Sequence, residues 1–136
     1  MKKKALIFGI TGQDGSYLSK FLLKKNYIVY GVKRRNSSVV TSRLDDIYLD
    51  PQELSDFKMF YADLSDYSSI NEIIKKTKPH EIYNLAAQSH VGISFDIPNY
   101  TMDINSLGTT RILESIKNSK LKCKFYQAGS SEMFGD

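Results

Sequence analysis

The sequence predicts an α/β fold in which helices cover both faces of a Rossmann-type, doubly wound parallel sheet. Short apolar runs of strand length alternate with amphipathic runs of helical period along the chain, which is typical of consecutive βαβ units. Three glycines, Gly9, Gly12 and Gly15, stand between the first apolar run and the first amphipathic run. We therefore expect one domain over residues 1–136, with right-handed crossover connections and no internal linker.

The first half of the chain predicts three strands and one helix. The continuous apolar run Ala5–Ile10 suits a strand that is buried on both faces. The next run, Ser16–Lys25, has apolar residues at helical spacing. Two further strand candidates are Tyr27–Val32 and Phe57–Tyr61. Between them, Asn36–Glu53 is mixed and polar, so it predicts a loop with one or two helical turns.

The second half of the chain predicts two helices and two strands. Asp66 is a candidate N-cap for a helix over Tyr67–Lys78, whose apolar residues follow helical spacing. The fourth strand is expected over Glu81–Ala86, and a long helix over Tyr100–Lys117. A fifth strand is expected over Lys124–Ala128.

The composition excludes several classes of function. The net charge is +4, but the basic residues are scattered along the chain, which argues against nucleic acid as a partner. No apolar run is long enough to cross a membrane. The single cysteine, Cys123, excludes an intrachain disulfide and favours a reducing compartment, so we expect a cytoplasmic protein. Two isolated histidines and one cysteine predict no metal site.

The glycines between the first strand and the first helix predict a phosphate-binding loop. Gly9 allows a tight turn, Gly12 lets a pyrophosphate approach the backbone, and Gly15 lets the helix pack closely on the strand. The N-terminus of the helix then offers free N–H groups and a positive dipole end to the phosphates. The spacing is G-x-x-G-x-x-G, which leaves a glycine-rich turn without a ligand as the alternative.

The residues after the second strand indicate which dinucleotide the loop would bind. An NAD site places a carboxylate there to hold the ribose hydroxyls, whereas this chain has Arg34, Arg35, Asn36 and Ser37. Guanidinium and hydroxyl groups suit a 2′-phosphate, so we infer NADP. A solvated basic loop is the alternative. Asp63, after the third strand, is placed either to accept from an adenine amine or to cap a turn.

Five segments of the chain resemble the extended short-chain dehydrogenase/reductase superfamily and, within it, the GDP-mannose 4,6-dehydratases. They are GITGQDGSYL, VKRRNSS, YADLSD, IYNLAAQSHVGISF and FYQAGSSEMFG. The glycine spacing is specific only to the superfamily, whereas the combination of segments is typical of the dehydratases. The resemblance implies NADP as cofactor and the nucleotide sugar GDP-mannose as substrate. The residues that it implies around NADP are Gly9, Ile10, Thr11, Gly12, Gln13, Asp14, Gly15, Arg34, Arg35, Asn36, Ser37, Asp63, Leu64, Leu85, Ala86, Ala87, Gln88, Ser89 and Tyr100.

The resemblance also implies two catalytic residues, Ser130 and Glu132. In the family reaction a tyrosine takes the O4 proton of the sugar while a hydride leaves C4 for NADP⁺ and later returns to C6. A glutamate at the position of Glu132 removes the C5 proton and helps expel the C6 hydroxyl as water. Ser130 stands where the family usually has threonine and keeps the hydroxyl that would bond the C4 oxygen. A helix cap or a surface carboxylate is the alternative role for Glu132.

The tyrosine of the superfamily's Tyr-x-x-x-Lys pair has no counterpart in the sequence. Tyr48, Tyr61, Tyr83 and Tyr126 are not followed by lysine four residues later. We therefore expect an incomplete domain, truncated after about the fifth strand, that lacks the last strands and the C-terminal substrate lobe. Such a chain is expected to bind NADP weakly and to be inactive alone, and the full-length protein is expected to be a homo-oligomer.

Two other functions stay open at this point. The chain could be a non-catalytic module that binds or senses NADP(H), or part of another nucleotide-sugar epimerase or reductase of the same superfamily. Neither histidine is expected to act as a catalytic base. His90 follows the fourth strand and is expected to make a packing or polar contact, and His80 is expected to be exposed.

Overall fold

The computed structural model describes residues 1–35, 42–49 and 55–130 of the chain. Five strands form one sheet in which every neighbouring pair is parallel. The strands are β1 (Lys4–Phe8), β2 (Ile28–Lys33), β3 (Phe57–Tyr61), β4 (Glu81–Asn84) and β5 (Lys124–Gln127). Their order across the sheet is β3-β2-β1-β4-β5. The predicted Rossmann-type parallel sheet is thereby confirmed.

Helices connect the strands across both faces of the sheet. They are α1 (Gln13–Lys24), α2 (Asp45–Leu49), α3 (Tyr67–Thr77), α4 (Val91–Asp96), α5 (Pro98–Met102) and α6 (Gly108–Asn118), with a 3₁₀ turn at Ser42–Leu44 and a π-helical segment at Asp103–Leu107. The 3₁₀ turn and α2 confirm the expected helical turns for the described part of 36–53. Within the described ranges, no helix is both long enough and apolar enough to span a membrane.

Alternating side chains of the buried strands feed two separate hydrophobic layers. In β1, Leu6 and Phe8 join the layer formed with α3 and α6, whereas Ala5 and Ile7 join the layer formed with α1 and α2. This period of two is expected for a strand covered on both sides. The centre of the sheet is therefore buried on both faces, and the loops at the carboxyl ends of the strands extend from it.

The helix α3 begins and ends as the sequence predicts. The Asp66 carboxylate accepts a hydrogen bond from the Ser68 N–H at 3.0 Å, which confirms the predicted N-cap. Hydrogen bonds from Ser69 and Ser68 lower the pKa of Asp66. At the other end, Lys78 adopts a left-handed conformation with φ of 45° and terminates the helix.

The long helix predicted over Tyr100–Lys117 is present, but five of its residues are π-helical. The helix begins earlier, at Pro98, and widens into the π-helical segment before continuing as α6. Side chains bond the carbonyl groups of the widened turn: the Thr109 hydroxyl donates to the Asn105 carbonyl at 3.0 Å, and the Arg111 guanidinium donates to the Asp103 carbonyl at 3.2 Å. Such π segments occur often at functional sites.

Candidate functional site

A cavity of about 1010 Å³ lies at the carboxyl ends of the strands. The strand order reverses between β1 and β4, and the cavity lies at this switch point, where open α/β sheets bind their ligands. Its walls come from the ends of four strands and from the helices α4 and α5. The lining residues are Phe8, Gly9, Thr11, Gly12, Val32, Lys33, Arg34, Arg35, Tyr61, Ala62, Asp63, Leu64, Leu85, Ala86, Ala87, Gln88, Ser89, His90, Ile93, Ile97, Tyr100 and Ile104.

The glycine loop forms the floor of this cavity. Gly9 has a φ of +80°, and a Cβ at this position would lie 2.8 Å from the backbone nitrogen of Ala86. The Gly12 N–H donates to the Gly9 carbonyl at 3.0 Å and closes the turn, while the Gly9 N–H donates to the Val32 carbonyl at 3.2 Å. The loop is thus held against both β2 and the segment after β4.

The N-terminus of α1 opens at the same loop. Gly12 is the N-cap and offers no side chain to accept a hydrogen bond from the first turn, so amides of that turn are available to a ligand. A Cβ at Gly15 would lie 2.4 Å from the Gly9 carbonyl oxygen, so glycine is required for the helix to approach the loop. The arrangement fits a pyrophosphate, with glycines at the approach and a helix dipole behind it.

Three basic residues, the last of β2 and the two that follow it, have different surroundings. The Lys33 ammonium lies 5.1 Å from the centre of the Tyr61 ring, which is within the range of a cation–π contact. The Arg34 guanidinium donates from Nη1 to the Tyr100 hydroxyl at 2.7 Å. Arg35 also lines the cavity. The positive charge at this wall suits a phosphate group.

The segment after β3 supplies a wall next to the basic residues. The Asp63 carboxylate accepts from the Ser65 N–H at 2.9 Å and from the Ser65 hydroxyl at 2.8 Å, so it stabilises a turn and also lines the cavity. Leu64 is 6% exposed and packs in the core. The Arg111 guanidinium donates to the Leu64 carbonyl at 2.9 Å and connects this wall to α6.

The loop after β4 is fixed by a side chain of the π-helical segment. The Asn105 amide accepts from the Gln88 N–H at 2.8 Å and donates to the Gln88 carbonyl at 2.9 Å. The Gln88 side chain in turn accepts from the His90 N–H at 2.6 Å and donates to the Thr101 hydroxyl at 3.2 Å. Side chains of a helix therefore set the path of the backbone that lines the cavity.

His90 makes a polar contact and His80 is exposed, as the sequence predicts. His90 is the N-cap of α4, because its Nδ1 accepts from the Ile93 N–H at 3.3 Å. His80 is exposed, and its Nδ1 accepts from the Lys4 N–H at 3.0 Å. Within residues 1–35, 42–49 and 55–130, no group of His, Cys, Asp and Glu could hold a metal ion.

The structure brings most of the predicted cofactor residues to one cavity. Those that line it are Gly9, Thr11, Gly12, Arg34, Arg35, Asp63, Leu64, Leu85, Ala86, Ala87, Gln88, Ser89 and Tyr100. Ile10 and Gly15 are buried beneath the loop, and Gln13 and Asp14 are exposed at the start of α1.

Four predicted residues remain, of which the structure describes one. Ser130 is exposed and is not among the lining residues. Asn36, Ser37 and Glu132 lie outside the described residues.

One apolar wall of the cavity does not follow from the sequence pattern. It is formed by Ile93, Ile97 and Ile104, from α4, the turn before α5 and the π-helical segment. The helix α4 has no buried residue, so it lacks the apolar periodicity that reveals most helices. Two local signals are present: His90, which caps α4, and Pro98, which opens α5 at a position that proline favours.

The sequence matches a known protein family and is similar to several of its members. The family model described as GDP-mannose 4,6 dehydratase matches residues 6–136. The GDP-mannose 4,6-dehydratase of Yersinia enterocolitica is 54% identical over 98% of this chain. The corresponding enzymes of Arabidopsis thaliana and Homo sapiens are each 51% identical, over 98% and 96% of the chain. The chain spans only 37%, 39% and 36% of the length of these three relatives.

Solved structures of lower identity share the fold. A UDP-glucose 4-epimerase from Stenotrophomonas maltophila, solved with bound NAD, superposes with a TM-score of 0.83 at 20% identity, over 98% of this chain and 39% of that one. The Bordetella bronchiseptica enzyme WbmH, solved in complex with NAD⁺, superposes with a TM-score of 0.71 at 22% identity, over 89% of this chain and 37% of that one. At this identity the likeness shows the Rossmann-type fold.

Proposed function

This chain belongs to the GDP-mannose 4,6-dehydratase family, and on that premise we propose that it is the NADP-binding part of a dehydratase. The proposed enzyme converts GDP-mannose to GDP-4-dehydro-6-deoxy-mannose by internal hydride transfer and loss of water. One observation carries the proposal: the glycine loop, the open N-terminus of α1 and the arginines after β2 all border the same cavity. This combination supports a dinucleotide as the ligand rather than a single phosphate.

The choice of NADP over NAD rests on the wall after β2. Arg34 and Arg35 line the cavity there, where an NAD site has a carboxylate. Asp63 is the acidic residue that lines the cavity among those described, and it follows β3. A guanidinium binds a 2′-phosphate with paired, charge-assisted hydrogen bonds. NAD, which has a hydroxyl at this position, gains little from the same groups.

The proposed roles divide between binding and proton transfer. When bound, the nicotinamide supplies the ability to accept and return a hydride. The chain holds the pyrophosphate at Gly9 and Gly12, and Asp63 faces the adenine. Ser130 is proposed to donate a hydrogen bond to the C4 oxygen, and Glu132 to move the C5 proton and protonate the departing C6 hydroxyl.

The chain alone is proposed to bind the cofactor without completing the reaction. No tyrosine of the sequence is followed four residues later by lysine, so the base that the superfamily uses at O4 has no counterpart here. The sugar-nucleotide site is proposed for the full-length protein on the basis of its relatives' names, and the homo-oligomer on the basis of the resemblance to the family alone. The cytoplasm is its proposed location.

Calorimetric titration of the purified chain with NADP⁺ and with NAD⁺ tests the cofactor proposal. We expect NADP⁺ to bind at least tenfold more tightly than NAD⁺, and Arg34→Ala together with Arg35→Ala to remove that preference. A charge-assisted hydrogen bond between a guanidinium and a phosphate contributes roughly 1.5–3 kcal/mol. Lys24→Ala, at the far end of α1, removes a positive charge away from the cavity and serves as the control. Binding of neither nucleotide would contradict the proposal.

Turnover of GDP-mannose by the full-length protein tests the reaction. We expect the full-length protein to form a keto sugar, with Glu132→Gln slowing the reaction by about 10²–10⁴-fold, the usual contribution of a positioned acid or base. The 136-residue chain is expected to form none. Tight NADP⁺ binding without turnover by the full-length protein would instead favour a non-catalytic NADP(H)-binding module.

A further inference from the structure

We propose that Tyr100 determines the preference for NADP by positioning Arg34, an inference that rests on the proposed function. The two residues come from different parts of the chain and are 66 positions apart in sequence. Arg34 follows β2, whereas Tyr100 lies in α5. Their hydrogen bond of 2.7 Å joins two walls of the cavity.

The ring and the hydroxyl of Tyr100 make different kinds of contact. Its ring packs against the hydrophobic layer formed with α3 and α6, and its hydroxyl oxygen accepts from Nη1 of Arg34. An amphipathic side chain held in this way has few alternative orientations. The acceptor is therefore presented to the guanidinium by a ring that is half-buried against the core.

The hydrogen bond to Tyr100 restricts the orientations of the Arg34 side chain. Arginine side chains have many rotamers, and binding a ligand with a mobile side chain loses entropy. Holding the guanidinium before the ligand arrives reduces that loss. A guanidinium carries five N–H donors, and the bond to Tyr100 is made from Nη1.

The neighbouring basic residue is not held in the same way. The Lys33 ammonium lies over the Tyr61 ring, at 5.1 Å from its centre. Arg34, by contrast, is bonded from the opposite side of the cavity. Since only NADP carries the 2′-phosphate, an effect that acts through Arg34 should change NADP affinity and leave NAD affinity unchanged.

Tyr100 could instead contact a part of the cofactor that NADP and NAD share, and a double-mutant cycle separates the two roles. Tyr100→Phe keeps the ring and removes the acceptor. Arg34→Ala removes the group on which the acceptor acts. If Tyr100 acts through Arg34, then Tyr100→Phe should have no further effect once Arg34 is alanine.

The experiment is calorimetric titration of the wild-type chain, Tyr100→Phe, Arg34→Ala and the double variant with NADP⁺ and NAD⁺. The control is Tyr67→Phe, which removes a tyrosine hydroxyl that accepts from the Asn118 amide at 2.9 Å, outside the cavity. We expect Tyr100→Phe to weaken NADP⁺ binding about tenfold, the size of one charge-assisted hydrogen bond. We expect NAD⁺ binding to change less than about twofold, and the double variant to match Arg34→Ala within the same margin.

Each result decides the inference. Equal weakening of NADP⁺ and NAD⁺ binding by Tyr100→Phe would overturn it, and so would a further loss of NADP⁺ affinity in the double variant. Adenosine 2′,5′-bisphosphate and 5′-AMP provide a second pair of ligands, and only the first should respond to Tyr100→Phe. If the wild-type chain prefers NAD⁺ or binds neither dinucleotide, the proposed function fails and the inference fails with it.

Discussion

Gly15 lies where the first turn of α1 crosses the glycine loop. An added Cβ would be 2.4 Å from the Gly9 carbonyl oxygen and 2.8 Å from the Ile10 Cα. Both neighbours are backbone atoms, so no side-chain rotation can relieve the overlap. We expect Gly15→Ala to lower the free energy of unfolding by about 1–3 kcal/mol, the usual range for overpacking, as measured by urea denaturation.

Gly92→Ala is the matched control for that substitution. Gly92 lies in α4, and the nearest atom to its added Cβ is the His90 Cε1 at 3.3 Å, which belongs to a side chain rather than to the backbone. Alanine also favours a helix over glycine by about 1 kcal/mol. We expect Gly92→Ala to leave stability unchanged or to raise it slightly. Equal destabilisation by both substitutions would show that the close approach at Gly15 is not the cause.

Among the described residues, Tyr83 has the pKa that is shifted most from its ordinary value. Burial, and then the hydrogen bond and charge of Glu81, raise the pKa of Tyr83 to about 12. Its hydroxyl donates to the Glu81 carboxylate at 2.8 Å, and the Tyr27 hydroxyl donates to the same group at 3.2 Å. The neutral phenol is the form that donates, so the folded chain retains this proton.

The direction of the resulting pH dependence follows from the two pKa values. The pKa of tyrosine in an unfolded chain is about 10, whereas the pKa of Tyr83 in the folded chain is raised to about 12. The unfolded state therefore loses this proton first, and the contribution of Tyr83 to stability is lost as pH rises between these values. The ionisation of tyrosine can be followed by absorbance in the wild type and in Tyr83→Phe. We expect the difference between the two titration curves to rise only near the raised pKa of Tyr83. In Glu81→Gln the pKa of Tyr83 should fall, and an unchanged pKa would exclude Glu81 as a cause.

At the scale of elements, the π-helical segment places one side chain where it can hold the cavity loop. The amide of Asn105 makes two hydrogen bonds to the backbone of Gln88, at 2.8 and 2.9 Å. Gln88 is half-buried, but both hydrogen bonds are exposed to solvent, so water can replace them when the amide is removed. We expect Asn105→Ala to lower the free energy of unfolding by less than about 1 kcal/mol.

The larger effect of Asn105→Ala should be on NADP⁺ binding, because the loop after β4 lines the cavity. A loop that must be ordered by the ligand reduces affinity, and we expect a loss of about tenfold in calorimetric titration. Ser106→Ala, at the next position of the same segment, is the control and should leave affinity unchanged. An Asn105→Ala variant that binds NADP⁺ as tightly as wild type would show that the loop holds its path without the amide.

The strands and the longer helices can be predicted from the sequence because packing imposes a period on them. The strand predicted over Phe57–Tyr61 has its observed bounds, and the cap predicted at Asp66 is the cap of α3. The π-helical segment could not be predicted, since one wide turn changes the spacing of apolar residues very little. The helix α4 escapes prediction because it buries no side chain and so leaves no apolar stripe.

The parts of the candidate site that depend on local geometry can be predicted from the sequence. Contacts between residues that are far apart in the sequence cannot. The roles of Gly9 and Gly15 follow from a turn and a close approach within one strand–helix unit. The pairing of Arg34 with Tyr100 joins two elements that only the folded sheet brings together. The same holds for Asn105 and Gln88, whose contact depends on the width of a helical turn.

At the scale of the whole molecule, the carboxyl ends of the strands and the β5 edge of the sheet have different surroundings. Basic and apolar groups converge on the cavity at the carboxyl ends of the strands. At the side of the sheet, β5 pairs only with β4 among the described strands and leaves its outer backbone groups unpaired by the sheet. Tyr126, in this strand, is 53% exposed. An exposed edge with an aromatic side chain favours pairing with another chain.

We therefore expect the 136-residue chain to associate as its concentration rises, and Tyr126→Lys to reduce that association. A lysine on an edge strand disfavours strand pairing, because two edges would bring like charges together. Tyr17→Lys is the matched control: it makes the same change of charge on α1, at a tyrosine that is 69% exposed and not on the sheet. Sedimentation velocity over a range of concentrations measures the effect. If both variants reduce association equally, net charge is responsible and the edge of β5 is not, whereas a response of Tyr126→Lys alone locates the contact at β5.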